Sequence, residues 1–129
     1  MDKNIIIIFK MISVLLISIL FVTEGVNKIF NFNNTVKGFQ TKSNYPLIIS
    51  KAAIVFAILF IIIAPIFLIL SIGFNNDLLL SLGSGMLIIF IILANIFYHP
   101  INDPTQRTAL FKNFAIMGGL LMMLIYSFN

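Results

Sequence analysis

Cysteine and tryptophan are absent from this 129-residue chain, and histidine and arginine occur once each, as His99 and Arg107. Without cysteine the chain itself forms no disulfide, thiolate metal site, iron–sulfur ligation or CxxC redox pair. A single histidine with few acids nearby is a poor metal site, and a haem would need a second axial ligand from methionine. Ser13, Ser18, Ser81 and Ser84 have no histidine at a suggestive spacing, and there is no phosphate-binding glycine loop. An autonomous enzyme is therefore not expected. Charge is also scarce: 9% of residues are charged, against about 25% in an ordinary soluble domain.

What is there in quantity is hydrocarbon. Apolar residues make up 60% of the chain and the mean hydropathy is +1.12. A soluble fold this apolar would lack the polar residues to cover its surface, so the expected solvent is the lipid bilayer. The formal net charge of +4 then sets orientation or meets anionic headgroups, and no nucleic-acid partner is expected. The length and the even composition predict a single domain over residues 1–129. The expected fold class is all-α, an integral membrane four-helix bundle.

A helix needs about 20 apolar residues to cross a bilayer, and four segments qualify, at about residues 5–23, 51–72, 78–98 and 109–128. The first requires Lys10 to snorkel along its own stem to the nearer interface. No A-x-A cleavage site follows it, so an uncleaved helix is expected rather than a signal peptide. Glu24 to Lys51 reads as the longest polar stretch. In it Phe30, Phe32 and Phe39 are expected at headgroup level, and Tyr45-Pro46 turns into the second span. Pro65, inside that span, removes a backbone hydrogen bond and should kink it. Ser71 to Asp77 reads as a tight turn broken by glycine and asparagine. His99-Pro100 ends the third span, and Asp103-Pro104 caps the start of the fourth.

The chain is organised around Ala94 to Leu121, where that exit, a short polar loop and the next helix concentrate the rare residues. The candidate polar site comprises Glu24, Lys28, His99, Arg107, Lys112 and Asn113, all near the membrane boundary on one side. Glu24 and Lys28 share a face if the first helix continues past the surface. Such a cluster could donate from His99 or Lys112 to the carbonyl oxygen of a quinone headgroup. The plainer alternative is an interfacial Glu24–Lys28 ion pair, with Arg107 and Lys112 as headgroup anchors. Ala115, Gly118 and Gly119 read as small residues for close helix packing, and the dispersed methionines as packing residues. Lysines 28, 37, 42 and 51 with Arg107 and Lys112 outnumber Lys3 and Lys10 on the side of the termini. The loops 24–51 and 99–112 are therefore expected to face the cytoplasm.

Three stretches carry a resemblance to a known family. They are Glu24-Gly25-Val26-Asn27-Lys28-Ile29-Phe30, like a G-x-x-K-[IL]-x-x-F signature; the exit from Ala94 to His99; and Phe111-Lys112-Asn113-Phe114-Ala115-Ile116-Met117-Gly118-Gly119-Leu120-Leu121, like F-x-K-N-L-A-[IL]-x-G-G-L-L. In order and spacing the chain resembles the DoxX-like family of small four-helix membrane proteins. Its last helix is also similar to the eukaryotic lesion-inducing branch of that superfamily. One stretch departs: many members carry a glutamate and a glycine pair in mid helix two, where this chain reads AILFIII from Ala57 to Ile63. Any role of that carboxylate is not carried over.

The resemblance implies an accessory membrane subunit tied to redox or quinone metabolism, with a membrane oxidoreductase as partner and quinone as the one candidate cofactor. A different class is a non-catalytic membrane adaptor or an assembly or trafficking factor, which the eukaryotic relatives suggest. A polar cluster turned into the bundle favours the first; the same residues splayed to headgroups favour the second.

Overall fold

The computed structural model describes residues 2–99 and 101–128. Five α-helices follow in order: α1 (Lys3–Phe30), α2 (Phe32–Ser43), α3 (Leu47–Gly73), α4 (Asp77–Tyr98) and α5 (Arg107–Ser127). A 3-10 turn, Pro104–Gln106, leads into α5. Four helical segments, α1, α3, α4 and the turn with α5, are long and apolar enough to cross a membrane. α1 packs on α3, α3 on α4, and α4 on α5.

The stripes that face inward follow helical spacing. In α1 they are Val14, Ser18, Phe21 and Gly25; in α4, Leu80, Ser84, Leu87, Ile91 and Asn95. Steps of three and four residues keep one face toward the neighbour. Both stripes run on toward the same end of the bundle, α1 to Lys28 and α4 to His99. The buried centre joins Val14 and Phe21 to Ile61, Ala64, Leu68, Leu80, Leu87, Ile91 and Leu120. The outward faces stay apolar, with Leu16 65%, Phe56 65% and Met122 74% exposed, as lipid-facing positions should be.

Close approach falls on two glycines. A Cβ on Gly83 would lie 2.9 Å from the Ala64 carbonyl oxygen, and one on Gly25 would lie 2.7 Å from Ile62 Cγ1. At Gly118 and Gly119 a Cβ would meet nothing within 4 Å. Those two and Ala115 are exposed, so within this chain they face outward instead of into a helix seam.

Most buried hydroxyls are satisfied locally. Ser71 Oγ donates to the Leu68 carbonyl at 2.6 Å, and Ser84 Oγ donates to the Leu80 carbonyl. Ser18 Oγ is buried with no partner among the described residues. An unpaired buried hydroxyl is unfavourable, so Ser18→Ala is expected to stabilise the protein by about 1 kcal/mol. Unfolding in mixed micelles would read this as a higher midpoint; a lower one would mean that the hydroxyl has a partner.

The polar stretch after the first span is more ordered than the sequence suggests. α1 continues to Phe30, giving it a length of about 42 Å at 1.5 Å per residue. α2 then folds back, because Phe32, Val36 and Phe39 share one face and bury it with Ile54 of α3 and Phe97 and Tyr98 of α4. Phe39 is thus 6% exposed, packed against the neighbouring helices, whereas Phe30 is 83% exposed. Asn44, with φ 59°, ends α2. Helix α3 runs unbroken through Pro65 to Gly73, so Ser71 to Gly73 are helical and the turn is Phe74 to Asn76. The Asn76 side chain caps α4 by accepting from the Leu78 and Leu79 N–H groups. α4 ends at Tyr98, with His99 as its C-cap; Pro100, assigned a helix-ending role, lies outside the described residues.

Candidate functional site

Helix α1, where it passes Leu20 to Lys28, meets α3, α4 and α5 around a cavity of about 530 Å³. Its walls are apolar and aromatic, including Phe21, Phe60, Ile91 and Phe97. α2 closes one edge with Phe39, whose ring meets Phe97 edge-on at 5.1 Å and Tyr98 at 6.3 Å. Lys42 of α2 lies 5.3 Å from the Tyr98 ring centroid, a cation–π contact that ties α2 to the end of α4.

Polar groups gather on this cavity from three helices. Glu24 and Lys28 come from α1, Tyr98 and His99 from the end of α4, and Asn113 from α5. Lys28 Nζ donates to Glu24 Oε2 at 3.3 Å, a four-residue step on one helix face. The Lys28 side chain is 25% exposed and that of Glu24 52%. Lys28 is therefore the more inward member, as expected from its place three residues after buried Gly25. Asn113 Nδ2 donates to Asn95 Oδ1 at 2.7 Å. This bond joins α5 to α4, and interhelical side-chain bonds of this kind hold membrane helices together.

His99 is held from the loop. Its Nδ1 lies 2.8 Å from Gln106 Oε1. Gln106 is presented by the 3-10 turn, which Asp103 caps. The Asp103 carboxylate accepts from the Thr105 N–H at 3.0 Å and from the Thr105 hydroxyl at 2.7 Å. The hydroxyl bond first, and then the backbone bond, hold the Asp103 carboxyl below the usual carboxylate range.

Of the six candidate polar residues, Glu24, Lys28, His99 and Asn113 share the cavity, while Arg107 and Lys112 do not line it and are exposed. Arg107 and Lys112 therefore have the placement of surface anchors. Sequence reading assigned Phe39 to the headgroups instead of a site, and gave no site role to Asn95, Tyr98 or Gln106. The helical spacing of Phe32, Val36 and Phe39 was the available signal for the first. Nothing local marks Gln106, whose bond to His99 spans a loop. No group of three or more potential metal-binding side chains occurs among the described residues.

A second groove of about 470 Å³ lies toward the other end, between α1 and α5, with Gly119 and Met122 in its wall. There Lys10 Nζ sits 5.1 Å from the Tyr126 ring centroid, so the expected snorkelling lysine also contacts an aromatic of the last helix.

No curated protein and no solved structure matches the chain. The sequence profile of the DoxX family matches residues 12–100. That range takes in two of the three resembling stretches, 24–30 and 94–99, and stops before the third. The match and the four membrane-crossing segments make this chain a multi-pass integral membrane protein that belongs to the DoxX family.

Proposed function

We propose that the protein is an accessory subunit of a membrane redox system and that its cavity holds the ring of a quinone-class amphiphile. The observation that carries this reading is the convergence of Glu24, Lys28, His99 and Asn113, from three helices, on one largely apolar cavity. Residues serving only as headgroup anchors would splay outward, as Arg107 and Lys112 do. The cavity volume of about 530 Å³ falls within the roughly 300–1,000 Å³ of small-molecule sites, which also combine apolar walls with few polar groups. Its polar groups sit toward the end of α1, the end of α4 and the first turns of α5, which suits a ligand with a polar ring and an apolar tail.

The test is purification from native membranes in mild detergent, with mass spectrometry of the extracted lipids and the co-purifying proteins. A quinone-class lipid and an oxidoreductase are expected with the wild type and with Lys112→Ala, and a loss of about tenfold in that lipid, counted as quinone plus quinol, with His99→Ala. One to two hydrogen bonds of about 1 kcal/mol each give a loss of that order. A trafficking or assembly client without quinone would replace this reading with that of a membrane adaptor.

A further inference from the structure

We propose that the cavity prefers the reduced, hydroxyl-bearing form of its ligand, a quinol, because Gln106 fixes His99 as a hydrogen-bond acceptor. The inference rests on reading the cavity as a quinone-class site, and adds which redox form it selects and which residue sets that choice.

A neutral imidazole has one N–H and one lone-pair nitrogen, and the bond made by one nitrogen settles the role of the other. The partner of His99 Nδ1 is the carbonyl oxygen of the Gln106 side chain, at 2.8 Å. That oxygen only accepts, so Nδ1 carries the proton. Nε2 is then the nitrogen left for a ligand, and it presents a lone pair. Glu24, the cavity's carboxylate, is acceptor-only as well. The Asn113 amide has one N–H committed to Asn95. Lys28 donates to Glu24 and keeps further N–H groups for a ligand oxygen.

An oxidised quinone offers only acceptor oxygens. Against Nε2 it would set lone pair to lone pair and leave that nitrogen desolvated without a bond. A quinol hydroxyl donates to Nε2, while a quinol oxygen can still accept from Lys28. The site as arranged is thus satisfied by the reduced form and mismatched to the oxidised one. Gln106 acts here through His99 and is a positioning residue.

Two measurements decide this. His99 is the chain's one histidine, so ¹⁵N-histidine labelling gives a single imidazole in the NMR spectrum. At mildly alkaline pH the protonated nitrogen is expected to be Nδ1; protonation at Nε2 overturns the proposal. Binding to the protein in lipid nanodiscs under anaerobic conditions is then compared for decyl-ubiquinol, its dimethyl ether and decyl-ubiquinone. The quinol is expected to bind about tenfold tighter than either, the worth of one well-made hydrogen bond plus the penalty of an unmade one. Gln106→Leu, which removes the acceptor at Nδ1, should collapse that ratio. A change in stability alone would weaken all three probes together and leave the ratio. Equal or tighter binding of the quinone overturns the preference while leaving the cavity a quinone-class site. Failure of every probe to bind overturns both. The wild-type spectrum and the wild-type ratio are decisive even where a variant does not fold.

Discussion

Replacing Gly83 with valine is expected to cost the α3–α4 seam at least about 1–3 kcal/mol of stability. A Cβ at this position would sit 2.9 Å from the Ala64 carbonyl oxygen and equally close to Leu68 Cγ and Cδ2. The first of these is backbone of α3, which cannot rotate away. α3 and α4 must therefore separate, and the buried contacts of Ala64, Leu68, Leu80 and Leu87 loosen with them. Overpacking of this kind costs about 1–3 kcal/mol even for one added carbon, and valine adds three. The gain in helix propensity on losing glycine, about 0.5–1 kcal/mol, does not offset it. At Gly118 and Gly119 the sign reverses: with nothing within 4 Å of the added Cβ, alanine should be neutral or stabilising by up to about 1 kcal/mol. Unfolding of the three variants in mixed micelles checks this. A loss at Gly118→Ala matching that at Gly83→Val would mean that another chain covers the outer face of α5.

That contrast also marks where sequence reading reaches its limit. Hydropathy found the four spans, with bounds close to the observed helices except at the end of α1, which runs past the expected residue 23 to Phe30, because lipid leaves a helix few alternatives. It could not say which small residues lie in a seam. Gly118-Gly119 stands out as a pair, and Gly83 does not, but the decisive fact is helix rotation. The inner stripe of α5 passes through Leu110, Asn113 and Leu120, which turns the glycine pair outward. Likewise α2 was hidden by its own composition. Its asparagines, threonines and lysines read as a loop, and only the face formed by Phe32, Val36 and Phe39 makes it a packed helix.

The polar residues divide by the same geometry. Lys28 and His99 extend the inner stripes of α1 and α4, so helical spacing alone carries them to the cavity. Asn113 lies on the inner stripe of α5 and Lys112 one residue, about 100°, away from it. Adjacent in sequence, they face opposite environments, and the chain's charges could not be sorted into site and anchor without the rotation of α5. The bond from Gln106 to His99 depends on how the loop folds, for which seven residues of spacing give no rule.

Filling the cavity should remove ligand without harming the fold. Ala94 lines it, half-buried on α4 beside Leu93 and Phe97. Ala94→Phe would place a benzyl group where the proposed ring sits. The group enters space that is already open and apolar, so no close-packed neighbour must move, and filling such space tends to stabilise. Bound quinone is expected to fall at least tenfold, with the unfolding midpoint unchanged or higher. Ile96→Phe is the matched control. It adds an aromatic ring to the same helix only two residues on, at a position 62% exposed, and should retain the ligand. His99→Ala and Ala94→Phe then fail for different reasons, one by losing a polar partner and one by losing space. Together they separate recognition of the ring from room to hold it. Equal quinone recovery from Ala94→Phe, Ile96→Phe and the wild type would place any bound quinone elsewhere on the protein. The open face of α5 near Met122 and Tyr126 would then be the next position to block.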